Sequence, residues 1–172
     1  MSAAEQMIDL PETPEAEIRR LVELQKKAHI AEGPMTAERR ISLIDKSIAI
    51  LVENKDAIVD ALNADFGNRS PEGSLATDVG STIAALKYAK KNVRSWMKAS
   101  KRHSVFPLGL LGASTRVEYQ PLGCVGNVVP WNFPFNLCFG PMSSIFAAGN
   151  RTIIKPSEYT PHCALLTKEL CE

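Results

Sequence analysis

The sequence predicts an α/β protein, with an N-terminal helical region followed by the opening strand–helix–strand–helix run of a parallel sheet. Three observations carry this. Apolar residues recur at three- and four-residue steps from residue 15 to about residue 100. Two short apolar runs, 124–129 and 151–155, are each followed by a helix-length segment, the order that gives crossover helices between parallel strands. Residues 119–150 contain no Asp, Glu, Lys or Arg, as expected at the buried centre of a fold.

Taken in order, residues 1–14 are polar with Pro11 and Pro14 and read as a mobile leader. The helical region is assigned to 15–114. Its first helix covers 15–31 and stops at Gly33 and Pro34. Thr36 is placed to cap the second, whose apolar stripe is Ile41, Ile44, Ile48 and Leu51. Asn54 and Lys55 mark a break before a short helix bearing Ile58, Val59, Leu62 and Phe66, which Gly67 ends. A longer helix is expected over 72–100, with the stripe Leu75, Val79, Ile83, Leu86, Val93 and Met97.

Beyond it the pattern changes. Pro107, Gly109 and Gly112 make a loop, and 115–120 alternates as a strand. The sheet region is assigned to 115–172. It holds a buried strand at 124–129, a helix at 135–148 stopped by Gly149 and Asn150, a strand at 151–155, and a helix from Pro161 onward.

Composition excludes several classes of function. Hydrophobic residues make up 45% and charged residues 23%, so the chain is not disordered or fibrous. With 20 Lys+Arg against 19 Asp+Glu, no basic excess supports nucleic-acid binding. The uncharged stretch is long enough to suggest a membrane span, but Pro121, Pro130, Pro134 and Pro141 would break such a helix, and its four asparagines would lack partners in lipid. The first 17 residues carry five acids and no base, unlike a secretory or mitochondrial leader, so the expected compartment is the cytoplasm. Cys124, Cys138, Cys163 and Cys171 show no zinc spacing and read as reduced, mostly buried thiols; no metal site is expected.

Ligands of open α/β sheets bind outside the carboxyl ends of the strands. The first strand runs out into Pro130-Trp131-Asn132-Phe133-Pro134. Flanking prolines stiffen that loop and give the Asn132 amide a defined aim. Asn132 is then either a donor to developing negative charge or a cap for the following helix. The second strand runs out into Lys155-Pro156-Ser157-Glu158. Lys155 and Glu158 offer a donor and an acceptor for a ribose diol, or else form an exposed ion pair at a turn. Gly123 and Gly126 give GxxG rather than the GxGxxG phosphate fingerprint, and they open a strand instead of closing one.

These residues carry a resemblance. The stretch PLGCVGNVVPWNFP, from Pro121 to Pro134, is followed by Gly140-Pro141, by Ala147-Ala148-Gly149-Asn150 and by Ile154-Lys155-Pro156-Ser157-Glu158. In order and spacing this resembles the aldehyde dehydrogenase superfamily, specifically its class 3 branch and, within that branch, the bacterial coniferyl aldehyde dehydrogenases.

The resemblance implies an atypical Rossmann-like NAD(P)-binding domain, incomplete here, and oxidation of an aldehyde to the acid. The family's cysteine thiolate attacks the carbonyl, hydride passes to NAD or NADP, and a glutamate activates water to hydrolyse the thioester. By the same resemblance Asn132 is the oxyanion-hole asparagine. Val128, Val129, Pro130 and Trp131 contact the cofactor, and Lys155, Pro156, Ser157 and Glu158 bind its adenosine ribose. The Glu158 carboxylate favours NAD over NADP. A homodimer is implied as well.

The likeness covers about the first third of such a chain. The phosphate-facing Gly-rich segment, the nucleophilic cysteine and the general-base glutamate are expected beyond residue 172, and these residues alone are expected to be inactive. An acylating or semialdehyde dehydrogenase of the same superfamily would share Asn132 and Lys155. A non-catalytic oligomerisation module would need no ribose pair.

Overall fold

The computed structural model describes residues 8, 10 and 12–171. The expected leader therefore falls largely outside the described residues.

Three helices come first: α1 (Glu15–Glu32), α2 (Ala37–Glu53) and α3 (Lys55–Phe66). Their limits follow from local chemistry. Thr36 Oγ1 accepts the Arg39 amide at 3.2 Å and opens α2. Asn54 separates α2 from α3.

The single long helix expected over 72–100 is instead composite. A short α4 (Pro71–Ser74) runs into a π-helical turn, Leu75–Gly80, and then into α5 (Ser81–Trp96). The extra residue of a π turn rotates the helix register. Here it buries Asp78 beside Val79, and both lie under the surface. Residues 100–102 are not helical: β1 (Ser100–Arg102) pairs antiparallel with β2 (Thr115–Val117) around a 3₁₀ turn, Leu108–Leu111. β2 is shorter than the expected 115–120 strand and exposed along its length.

The parallel unit has the expected order. β3 (Cys124–Val128), α6 (Pro134–Ala147), β4 (Arg151–Lys155) and α7 (Pro161–Cys171) follow one another, and β3 pairs parallel with β4. This is an α/β fold with N-terminal helices and an incomplete Rossmann-like sheet. The 124–129 strand is not uniformly buried as expected. Among the described residues this sheet has only the two strands β3 and β4, and α6 packs against them, so Val129 is buried while Val128, at the end of β3, is 73% exposed.

Helices α2, α5 and α6 pack together. Ile44 and Leu51 meet Leu86, Val93, Phe135 and Phe139 in a core from which water is excluded. α6 contains Pro141, which cannot donate an amide to the Leu137 carbonyl one turn back. The side chain of Asn127, on β3, reaches that gap: its Nδ2 donates to the carbonyls of Cys138 at 2.9 Å and Leu137 at 3.4 Å. The proline thus leaves the Leu137 carbonyl free, and a strand side chain that bonds it and the adjacent Cys138 carbonyl joins the sheet to its helix. At the far end of α6, Arg40 is buried and donates from Nη1 to the Ala147 carbonyl at 2.8 Å.

Candidate functional site at the strand ends

The register pairs Val128 with Lys155, the last residues of the two strands. The Val129 amide then donates to the Lys155 carbonyl at 2.9 Å. Adjacent parallel strands lie about 4.8 Å apart. The 130–134 loop and the 155–158 turn therefore leave the sheet side by side, on the edge where α/β proteins hold ligands.

Along the loop, Pro130, Trp131, Asn132 and Phe133 are exposed, and Pro134 turns inward to start α6. The Asn132 side chain makes no hydrogen bond among the described residues, and α6 has no side-chain cap from its own preceding residues. Its helix-capping alternative is therefore not what the structure shows.

The carboxylate at that helix start comes from elsewhere. Asp78, fully buried in the π turn, accepts the Asn136 amide on Oδ1 at 3.2 Å. Its Oδ2 takes Arg69 Nη2 at 2.5 Å. Arg69 also donates from Nη1 to the main-chain carbonyl of Asn132 at 3.2 Å. Its guanidinium lies over the rings of Phe66 and Phe133, at 4.9 and 5.1 Å from their centroids. Asn136 Nδ2 adds bonds to the Thr77 carbonyl at 2.9 Å and to Ser81 Oγ at 2.6 Å.

Sequence reasoning missed Arg69 and Asp78. The available signal was Arg69 itself, the one Lys or Arg between Lys55 and Lys87, set just before a helix start where a cation is disfavoured unless paired.

On the neighbouring turn, Lys155 Nζ donates to Glu158 Oε2 at 2.7 Å and to the Pro156 carbonyl at 3.0 Å. The hydrogen bond from Lys155, then one from its own backbone, holds the Glu158 carboxyl below the usual carboxylate range. Both side chains are exposed. Ser157 is buried and its Oγ accepts the Tyr159 amide at 3.2 Å, so it fixes the turn and faces inward. Val129 also faces inward. The residues presented together at the edge are Val128, Pro130, Trp131, Asn132, Lys155 and Glu158.

The turn leads into α7, whose first amides are met by another buried acid. Asp65 of α3 accepts His162 N at 3.0 Å and Cys163 N at 2.9 Å, and its Oδ1 also bonds His162 Nδ1 at 2.8 Å. All four cysteines are free. Burial pushes the Cys138 and Cys163 thiols well up, the latter also through its bond to Asp65, so neither has the character of a nucleophile. Among the described residues no cluster of His, Cys, Asp and Glu could hold a metal ion, and no helix is long and apolar enough to cross a membrane.

Comparison with known proteins agrees with this layout. A coniferyl aldehyde dehydrogenase of Pseudomonas sp. (strain HR199 / DSM 7063) is 50% identical over 145 residues, 84% of this chain and 29% of that protein. A probable coniferyl aldehyde dehydrogenase of Caulobacter vibrioides is 47% identical over 152 residues, 87% of this chain and 31% of its own length. Among solved structures, a substrate-bound Staphylococcus aureus AldH superposes with a TM-score of 0.81 at 29% identity, covering 92% of this chain and 33% of that one. PnpE in complex with nicotinamide adenine dinucleotide gives 0.75 at 28% identity, over 90% of this chain and 30% of its own. The chain thus spans about a third of the length of the relatives it matches. The aldehyde dehydrogenase family model matches residues 2–172, and the chain belongs to that family.

Proposed function

We propose that this chain is the N-terminal part of an NAD(P)-dependent aldehyde dehydrogenase that oxidises an aromatic aldehyde, of the coniferyl type, to its acid. The observation that carries this is the parallel pairing of Val128 with Lys155, from which the Asn132 loop and the Lys155–Glu158 pair leave the sheet at neighbouring strand ends. The aromatic substrate class is supported by the relative that is 50% identical.

The residues present fit a dinucleotide. An ammonium has three N–H donors, and Lys155 uses two of them within the chain. The third donor and the exposed Glu158 carboxylate match the two hydroxyls of a ribose. A carboxylate there also repels a 2′-phosphate, which supports NAD ahead of NADP. Exposed Val128 and Trp131 supply apolar surface beside the pair. When bound, the cofactor accepts the hydride. The Asn132 side-chain amide, in a proline-flanked loop and without a partner among the described residues, donates to the oxygen of the substrate carbonyl as negative charge develops on it. The nucleophile and the general base are assigned outside this chain, in accord with the raised thiols of Cys138 and Cys163.

The cytoplasm is the compartment we infer, supported by four unpaired cysteines. A homodimer is inferred from the family and supported by the exposed Phe106, Leu110 and Leu111 between β1 and β2.

The test separates the two halves of the site in the complete enzyme. Asn132→Ala should lower kcat about 100- to 1000-fold, as loss of one oxyanion donor does, with cofactor Kd unchanged. Lys155→Ala should raise cofactor Kd while leaving hydride transfer at saturation close to the parent rate. An Asn132→Ala enzyme with the parent kcat would refute the assignment of that amide.

A further inference from the structure

The loop that carries Asn132 is held by groups outside the sheet. Prolines stiffen it but do not fix it in space relative to the rest of the site. Arg69 does so through two contacts with successive residues, a hydrogen bond to the Asn132 carbonyl at 3.2 Å and the face of the Phe133 ring at 5.1 Å. Asp78 in turn orients Arg69 through the 2.5 Å ion pair and holds the first turn of α6 through the Asn136 amide. Arg69 is largely shielded from water and Asp78 is wholly buried, so water does not easily replace the ion pair that holds the guanidinium in place beside the surface carbonyl of Asn132. Neither side chain belongs to the strand-end surface itself.

We propose that Arg69 and Asp78 are positioning residues for the oxyanion donor, with Arg69 fixing the Asn132 backbone and Asp78 fixing Arg69. This rests on the reading of Asn132 given above. The chemistry requires the two-pronged guanidinium. One N–H group serves the Asp78 carboxylate and another the Asn132 carbonyl, whereas a lysine ammonium is a point charge without that fork. Because a misplacement of about 1 Å at a reacting group costs about 100-fold in rate, loosening this clamp should act on turnover and spare cofactor binding.

The experiment is a double-mutant cycle in the complete enzyme, with kcat and cofactor Kd measured for Arg69→Ala, Asn132→Ala and the double variant. Arg69→Ala is expected to lower kcat by about 10- to 100-fold with cofactor Kd within about twofold of the parent. In the Asn132→Ala background the same change should cost less than about threefold, because the group it positions has gone. Arg69→Lys keeps a cation against Asp78 and serves in the same cycle if the alanine variant does not fold. It should lose turnover in the parent and little in the Asn132→Ala background. Losses that multiply across the cycle, or a parent-like kcat in the Arg69 variant, overturn the proposal while Asn132 keeps its role. An Asn132→Ala enzyme with parent kcat removes both.

Discussion

Asp78 and Asp65 are acids with almost no exposed surface, and each lies where helix amides point at it. Burying a carboxylate is costly unless it is paired or fully hydrogen-bonded: Asp78 is paired with Arg69, and Asp65 is bonded by two amides and the His162 ring. The strand-end residues were legible in the sequence because loops beyond strands advertise themselves through Pro, Asn and paired charge. Asp78 was not, because an acid beside an apolar stripe reads as solvent-facing until a π turn rotates it inward. The cysteines allow a direct test at this scale. Cys138 and Cys163 have thiols raised by burial, so they stay protonated in the folded chain where the unfolded chain ionises, above about pH 8.5. The unfolded state then binds fewer protons, and the stability present below that pH is lost as pH rises toward the folded pKa values. Denaturant unfolding from pH 8 to 10 should show that decline, and Cys163→Ala should flatten it. An equal slope in the variant would show that the thiol does not contribute.

At the level of elements, caps and breaks were the most readable features. Thr36, Asn54 and Gly67 act where helix chemistry places them. Hydrophobic periodicity over 72–100 cannot distinguish a continuous helix from one with an inserted residue, so the π turn at Leu75–Gly80 is not legible there. The β1–β2 hairpin escaped for a related reason: Ser100–Arg102 has no apolar alternation and is defined by its partner strand. Gly149 shows how tightly elements can be tied. It adopts φ +81°, and a Cβ there would lie 2.8 Å from Arg40 Cζ, the group that bonds the end of α6. Gly149→Ala therefore combines left-handed strain with a clash against a buried guanidinium. We expect a loss of about 1–3 kcal/mol, read as a lower thermal inactivation temperature. An unchanged temperature would mean that Arg40 has room to move.

For the whole molecule, the order of elements and the α/β class were legible because strand and helix segments alternate with clear punctuation. The way the helical region meets the sheet was not, since it depends on contacts between residues about 60 to 100 positions apart, such as Asp78 to Asn136 and Asp65 to Cys163. Both α6, the crossover helix between β3 and β4, and α7 have first-turn amides bonded to carboxylates donated by that region. A peptide of residues 118–172 alone should therefore give the circular dichroism of an unfolded chain, and gain helix when mixed with residues 1–117. Stable helix in the isolated peptide would show that the acids are dispensable.

The same arrangement bears on how the protein is made. Synthesis runs from the N-terminus, so the segments holding Asp65 and Asp78 leave the ribosome before the helices whose first amides bond to them. Until α6 and α7 emerge, Asp78 has only Arg69 for a charged partner and Asp65 should remain in water, and the burial of both should coincide with arrival of those helices. Docking of the nascent halves is then favoured only when helices of the right polarity are present, which makes the two acids a check on correct assembly.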